Sequence, residues 1–196
     1  LLECSPDLVG TSSADGTITY MNPTGRRMVG WGGVEDLSRF QVSDVHPDWA
    51  ARIVFGEGIP AATQSGVWQG ETAVMGADGT EIPVWQVIIA HRGDGAKPRW
   101  LSTVMRDIAE AKRAERALVE SERRFRALFD NALDAIFVID GGVLTDCNPR
   151  TLEVFAGTRQ DVLGRSPADL SPDHQPDGTL STESAARRIS AALDGT

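Results

Sequence analysis

The sequence has little of several features that define common protein classes. Its 196 residues contain two cysteines, Cys4 and Cys147, which form neither a disulfide framework nor a CxxC pair, so a reducing, cytoplasmic setting is expected. No run of about 18 apolar residues is present, so no transmembrane helix is expected. The amino terminus lacks a basic segment and a starting Met, which indicates a piece of a longer protein rather than a signal peptide.

Positive charge is also scarce. The formal net charge is −9 and the pI is about 4.8, which argues against binding to nucleic acid or to an anionic membrane surface. The charge is uneven: residues 1–105 carry 7 basic and 12 acidic side chains, residues 106–126 carry 7 and 5, and residues 127–196 carry 5 and 11. Two acidic blocks therefore flank a short basic segment, and we predict neither nucleic acid nor direct membrane contact as a partner.

The basic segment predicts a linker helix. Residues 108–130 are rich in strong helix formers and contain no glycine or proline, so one continuous helix is expected over about 107–130. Apolar residues recur in it near a heptad spacing and form one stripe: Ile108, Ala111, Leu118, Phe125 and Phe129. Glu115 and Glu122 interrupt this stripe. A solvated linker helix and a short parallel coiled coil between two copies of the chain both stay open.

The sequence repeats itself at an offset of 125 to 126 residues. Asn22-Pro23 recurs as Asn148-Pro149, residues 34–37 as 159–162, and residues 44–48 as 169–173. Landmarks in one order at a steady offset indicate a tandem duplication. We predict one domain at residues 1–107, a helical linker at 108–130, and a second domain at 131–196.

Each copy is expected to start with a hairpin around a tight turn, Asp15-Gly16 in the first copy. Asn22 then caps a helix that Pro23 opens. Residues 34–64 predict short helices broken at Pro47, Gly56, Gly58 and Pro60. Three further strands are predicted at about 68–76, 81–91 and 99–106.

The strand at 81–91 is apolar on both faces. One face presents Val84, Ile88 and Ala90, and the other presents Trp85, Val87 and Ile89. An antiparallel strand of this kind must be covered on both sides. The helical segment 22–64 is expected to cover one face, and a flanking helix or a partner chain to cover the other.

This order of elements resembles tandem PAS domains. The motifs that carry the resemblance are DGTITYMN at 15–22, GVWQGE at 66–71, DGTEIPV at 78–84 and MRDI at 105–108. Residues 121–132 resemble the helix that leads into a following PAS unit, and Ala109 stands where the family's D-I-T signature has a threonine. The resemblance implies an α+β fold of two PAS-like domains, each an antiparallel five-stranded sheet with short helices on one face. The second domain is expected to be incomplete, because it has no counterpart of the last three strands.

The resemblance also implies a function. It predicts a sensory input region that binds a small ligand or partner and relays its state through the linker to an output domain outside this chain. That output is a histidine kinase or, as an alternative, a diguanylate cyclase. The family's pocket wall would correspond to Met28, Ile53, Val74, Val87, Ile89 and Val104, and the relay residues to Asp107, Ile108, Leu118 and Phe125. A homodimer with an unknown small-molecule ligand is expected.

No catalytic residue, metal or bound cofactor is predicted in this chain. A nucleophile–base pair, a P-loop and paired carboxylates are absent as sequence patterns, and the three histidines lack ligand spacing. His46 precedes Pro47 and is expected at a polar surface corner rather than as a haem ligand. Two alternatives stay open: a flavin-binding redox sensor, since all five tryptophans lie before residue 101, and a ligand-free PAS dimerisation and interaction module.

Overall fold

The computed structural model describes residues 2–92 and 98–193, and the chain divides into two compact units, Leu1–Arg116 and Ala117–Thr196. The domains predicted at 1–107 and 131–196 include residues 1, 93–97 and 194–196, which lie outside the described residues. Within the described ranges, no helix has both the length and the hydropathy needed to cross a membrane.

The first unit is built on a five-stranded antiparallel sheet. Its strands are β1 (Leu8–Ser13), β2 (Ile18–Met21), β3 (Val67–Met75), β4 (Glu81–Arg92) and β5 (Pro98–Asp107). Their order in the sheet is β2-β1-β5-β4-β3, so the last strand lies at the centre beside the first. The hairpin and the three later strands are confirmed, and the later strands match the predicted bounds to within one residue.

A short helix, α1 (Pro23–Met28), follows β2 and packs closely on the sheet. Asn22 caps it as predicted, because its side-chain oxygen accepts a hydrogen bond from the Gly25 amide at 2.9 Å. Gly25 also permits the close approach, since an added Cβ would lie 2.6 Å from Leu8 Cγ and 2.7 Å from Met21 Cγ.

The segment after α1 differs from the prediction. Residues 34–41 contain no helix, and a 3₁₀ helix follows at Val42–Val45. Next come α2 (Asp48–Ile53), a π-helical turn at Val54–Gly58 and α3 (Ile59–Ser65), which continue into one another. The breaks predicted at Gly56, Gly58 and Pro60 are therefore wrong, and only Pro47 marks a helix start.

The physical reason is the wide turn. The Ile59 amide donates to the Val54 carbonyl, five residues back. Pro60 has no N–H to donate, so it leaves one carbonyl of the wide turn without an intrahelical partner, but the helix continues through it. Gly58 lies against the sheet, where an added Cβ would come within 3.0 Å of Ile88 Cδ1. Proline and glycine here shape one helical segment instead of ending it.

These helices cover one face of the sheet, as expected. The core residues from the sheet include Leu8, Val74, Val84, Ile88, Leu101 and Met105. On the other face Trp85 remains 41% exposed and Ile89 38% exposed. The first turns of the following helix border a groove on this outer face beside Trp85, Val87 and Val104, so a flanking helix provides part of the second cover.

That helix, α4 (Ala109–Asp130), extends through the predicted linker without a break at Leu118 or Ser121. Its start is capped by Asp107, whose Oδ1 accepts a hydrogen bond from the Ala109 amide at 2.7 Å. A side chain two residues earlier thus supports a helix start whose own first residue, Ala109, has no hydroxyl.

The second unit has a smaller sheet. A hairpin of β6 (Phe137–Asp140) and β7 (Val143–Cys147) is followed by the helices α5 (Pro149–Val154), α6 (Arg159–Val162) and α7 (Ser181–Leu193). Its core is formed by Leu144, Cys147 and Val162. Within residues 117–193, β6 and β7 are the only strands, in agreement with the predicted lack of counterparts to β3, β4 and β5.

Candidate functional site: a cavity under the sheet and the helix that leaves it

The first unit contains a small cavity between its sheet and its helices. The cavity has a volume of about 40 Å³ and an almost entirely apolar wall. The wall residues include Leu8, Met21, Val54, Ile88, Leu101 and Met105. No Asp, Glu, His, Lys or Arg is among the described residues that line it.

A buried polar ladder crosses three strands beside this cavity. Gln86, on β4, is 1% exposed, and its Oε1 accepts a hydrogen bond from Thr72 Oγ1 of β3 at 2.7 Å. Its Nε2 donates to Thr103 Oγ1 of β5 at 3.3 Å, and Thr103 Oγ1 donates to the Val87 carbonyl at 2.9 Å. Gln86 and Thr103 line the cavity. The ladder is therefore the polar part of an apolar wall.

None of the six predicted wall residues is among the described residues that line the cavity. Met28 and Val74 pack in the adjacent core, and Ile53 is half-buried at the end of α2. The other three, Val87, Ile89 and Val104, lie on the opposite face of the sheet. Their placement on the wall is wrong.

The physical reason is strand alternation. Side chains alternate between the two faces of a strand, so an error of one residue exchanges the faces. On β4 the inward register holds Val84, Gln86 and Ile88. Gln86 is the polar residue of this register, but the sequence does not determine which face of β4 points inward, because both faces are mainly apolar.

His46 is also placed differently from the prediction. It is 5% exposed, and its Nδ1 lies 2.6 Å from the Ala73 carbonyl of β3. Because a carbonyl only accepts, Nδ1 carries the proton and Nε2 is a bare acceptor, which has no partner in the described residues. Burial lowers the pKa of His46, against the weaker effect of its bond to Ala73. The predicted polar surface corner is wrong, because the ring turns inward while Asp44 turns back to the Gln41 amide.

The first turn of α4 is bonded to the strands of the first unit. The Ile108 amide donates to the Pro83 carbonyl of β4 at 3.0 Å, and Asp107, the cap of α4, is the last residue of β5. Lys112 Nζ lies 2.5 Å from Glu71 Oε2 of β3. Two predicted relay residues, Asp107 and Ile108, thus lie where three strands meet the helix.

The other two predicted relay residues are exposed. Leu118 is 70% exposed and Phe125 is 52% exposed, although Phe125 stacks on Phe129 with ring centroids 5.4 Å apart. Val119 and Leu128 are exposed as well, and Phe129 is the one residue of α4 that is buried. Most of the apolar surface of the helix is therefore without cover in a single chain.

The end of α4 is held by a buried asparagine of the second unit. Asn148 is fully buried, and its Nδ2 donates to the Phe129 carbonyl at 3.1 Å and to the Asp134 carbonyl at 2.9 Å. Its Oδ1 accepts from the amides of Ile136 and Thr151, both at 3.0 Å. The sequence predicted the helix-capping role, but not the bond to the linker helix.

Sequence comparisons agree with this architecture. A family profile described as PAS domain matches residues 6–110, which is more than half of the chain, and a second profile with that description matches residues 123–189. The chain belongs to the PAS domain family. The resemblance drawn from the motifs at 15–22, 66–71, 78–84 and 105–108 is thereby confirmed.

One curated protein matches part of the chain. Sporulation kinase E of Bacillus subtilis is 35% identical over 74 residues, which are 37% of this chain and 10% of that kinase. The chain therefore spans about a tenth of the length of this curated relative.

A solved PAS domain from Colwellia psychrerythraea has the same fold. The crystal structure of a PAS domain from Colwellia psychrerythraea matches with a TM-score of 0.51 and 19% identity, over 56% of this chain and 92% of that one. A domain of a sensory box sensor histidine kinase/response regulator from Geobacter sulfurreducens matches with a TM-score of 0.44 and 15% identity, over 55% of this chain and 88% of that one. The predicted α+β class with a five-stranded antiparallel sheet is confirmed.

Proposed function

We propose that this PAS region is the cytoplasmic sensory input of a signalling protein whose output is a histidine kinase. In this proposal the first unit binds a small molecule in its cavity, and α4 carries the effect of occupancy towards the second unit and the output. The observation that supports it most is that the strands lining the cavity also hold the start of α4. Gln86 and Thr103 border the cavity, and Pro83 and Asp107 on the same two strands bond to the helix.

The proposed relay is a shift between two arrangements of the α4 start. A ligand shifts such an equilibrium only by its difference in affinity for the two arrangements. Movement of β4 or β5 by an occupant would change the geometry of the Ile108–Pro83 bond and of the Asp107 cap. Both bonds are at the first turn, where a helix is anchored by few backbone contacts of its own.

We also propose that two copies of the chain pair along α4. The exposed residues Leu118 and Phe125 stand seven residues apart on one stripe, which fits the seam of a parallel coiled coil. Glu115 and Glu122 interrupt this stripe and would weaken the pairing, and a weak pairing suits a helix that must change its packing.

The relay is tested by filling the cavity without a ligand. Val54→Ile adds one methylene group at a buried wall position, and Val67→Ile makes the same change at a position that is 51% exposed. Amide hydrogen exchange of residues 109–112 should change several-fold in Val54→Ile and stay unchanged in Val67→Ile. Equal exchange in the two variants would contradict the relay.

A second candidate is the ligand-free interaction module, and the small cavity favours it. Drug-sized ligands occupy pockets of roughly 300–1,000 Å³, and the cavity here has about 40 Å³. An absorption spectrum of the purified protein distinguishes a flavin-binding sensor from the small-ligand sensor and from the interaction module, since bound flavin absorbs visible light. A colourless protein whose α4 exchange is indifferent to Val54→Ile would favour the interaction module.

A further inference from the structure

We infer that the ligand of the first unit is a neutral, largely apolar molecule of a few heavy atoms that is recognised by the carboxamide of Gln86. The inference rests on the proposed ligand-binding function and specifies its chemistry. It excludes ionised metabolites, such as carboxylates and phosphates, and it excludes large cofactors.

The size of the cavity limits the ligand. A volume of roughly 10–15 Å³, measured by the positions of a water-sized sphere, holds one water molecule. The cavity has about 40 Å³ on that measure, which is enough for a molecule of a few heavy atoms. A larger ligand would have to displace buried side chains such as Val54 or Leu101, and closely packed interiors resist such displacement.

The charge of the cavity wall limits the ligand further. Among the described residues that line the cavity, the polar side chains are neutral amides and hydroxyls. Tyr20 borders it too, but its hydroxyl turns outward and donates to Glu3 Oε1 at 2.6 Å. Burying an ion is costly unless an opposite charge or several hydrogen bonds compensate it. An anion or a cation would find no opposite charge on this wall.

Gln86 has a fixed orientation and hydrogen-bonding capacity to spare. Thr103 Oγ1 gives its proton to the Val87 carbonyl, so towards Gln86 it can only accept, and this sets Nε2 on the Thr103 side. A carboxamide has two N–H groups and two acceptor sites. One N–H of Gln86 donates to Thr103, and one acceptor site accepts from Thr72. One N–H and one acceptor site are therefore left for a ligand.

The weakest bond of the ladder is the one that a ligand would weaken further. Gln86 Nε2 lies 3.3 Å from Thr103 Oγ1, longer than the 2.7 Å bond between Thr72 and Gln86. A ligand acceptor that engages Nε2 would loosen the link between β4 and β5. These are the two strands whose ends hold α4, so recognition and relay would share one side chain.

Three probes of equal shape test the inference. Acetone, acetamide and acetate each have four heavy atoms in a planar arrangement, and acetate alone is ionised at pH 7. The chain is titrated with each probe while NMR follows the Gln86 side-chain amide and the methyl groups of Ile88 and Leu101. Acetone and acetamide should cause saturable shifts at these groups, and acetate should cause none at the same concentrations.

Two variants test the role of Gln86. Gln86→Leu should weaken binding of acetone and acetamide by about tenfold, the effect of one lost hydrogen bond, whereas Gln69→Leu makes the same change at an exposed position of β3 and should leave binding unchanged. Thr103→Val keeps the shape of the side chain and frees Nε2, so it should tighten acetone binding several-fold. This second variant tests the assignment even if Gln86→Leu fails to fold.

The outcomes separate this inference from the function on which it rests. Saturable binding of acetate in the cavity, or acetone binding that neither Gln86→Leu nor Thr103→Val changes, would overturn the inference and leave a ligand-binding cavity in place. Exclusion of all three probes from the cavity would overturn the ligand-binding function as well.

Discussion

The two units have a buried asparagine at the same position of the repeat, but the asparagine bonds to a different element in each unit. Asn22 and Asn148 are both fully buried, and each joins four backbone groups. In the first unit Nδ2 of Asn22 donates to the Leu2 carbonyl at 3.2 Å, in a short 3₁₀ helix at Leu2–Cys4. In the second unit Asn148 donates to Phe129, in the last turn of α4. One unit ties the asparagine to a short local turn, and the other ties it to the long helix.

A second pair of positions differs in the same way. Tyr20 of β2 donates to Glu3 just before the first hairpin. At the equivalent position of β7, Asp146 accepts from Arg126 of α4 at 2.7 Å and from Arg159 of α6. Both side chains take part in charge-assisted hydrogen bonds, but only Asp146 bonds to a residue of the long helix. The duplicated hairpin of the second unit is therefore attached to α4 by contacts that its counterpart lacks, as the proposed relay requires.

The largest expected effect comes from removing either asparagine. Asn148→Ala and Asn22→Ala each leave four buried backbone groups with fewer partners, and each should lower the free energy of unfolding of its unit by about 3 kcal/mol. Only Asn148→Ala should speed amide exchange at residues 127–131. Denaturant unfolding and site-resolved exchange check both parts. Equal exchange at 127–131 in the two variants would remove the contrast between the units.

A smaller effect is expected on self-association. Leu118→Glu and Phe125→Glu place a charge on the proposed seam, and each should weaken pairing by at least tenfold, about 1.4 kcal/mol. Ala127→Glu makes an apolar-to-Glu change two residues away, off the stripe that holds Leu118 and Phe125, and serves as the matched control. Sedimentation of the three variants measures the result. A monomeric parent chain at tens of micromolar would contradict pairing along α4.

The pH dependence of stability should distinguish His46 from its repeat counterpart Ser171. Burial lowers the pKa of His46 in the folded state, so the unfolded chain binds the proton more readily. The contribution of His46 is fully present above its ordinary pKa of about 6.5 and is lost as the pH falls from there towards the folded pKa. In His46→Ser, the free energy of unfolding of the first unit should decrease less as the pH falls. Unfolding curves between pH 8 and about pH 5 test it, and identical slopes in the parent and the variant would contradict it.

The smallest expected effect lies at Asp146. Partial burial opposes its ionisation, but the bonds from Arg126 and Arg159 outweigh burial and lower the pKa of this carboxyl. Its contribution is therefore present above the ordinary pKa of about 4 and is lost as the pH falls below that value. Asp146→Asn should cost about 1 kcal/mol at neutral pH, because the partner arginines are half-exposed. Tyr20→Phe, its counterpart, should cost less, as denaturant unfolding at pH 7 would show.

Local patterns in the sequence determined much of this architecture. The Asp15-Gly16 turn, the cap at Asn22 and the glycine- and proline-free segment 108–130 depend on backbone preferences of a few neighbouring residues. The offset of 125 to 126 residues determined the duplication without reference to any contact. The family and the five strands of the first unit followed from these signals because each is short-range and they occur in a fixed order.

Only the tertiary structure decided which face each residue occupies. β4 is apolar on both faces, so hydrophobicity alone could not choose between Gln86 and Val87 for the cavity wall. The helices that pack on one side of the sheet determine which face points inward. The hydrogen bonds with Thr72 and Thr103 compensate the burial of the Gln86 carboxamide at that face. His46 likewise becomes buried because β3 offers the Ala73 carbonyl, a residue 27 positions away. Such long-range partners are absent from any local window of sequence, which is why burial, register and the cavity wall could not be predicted with the strands.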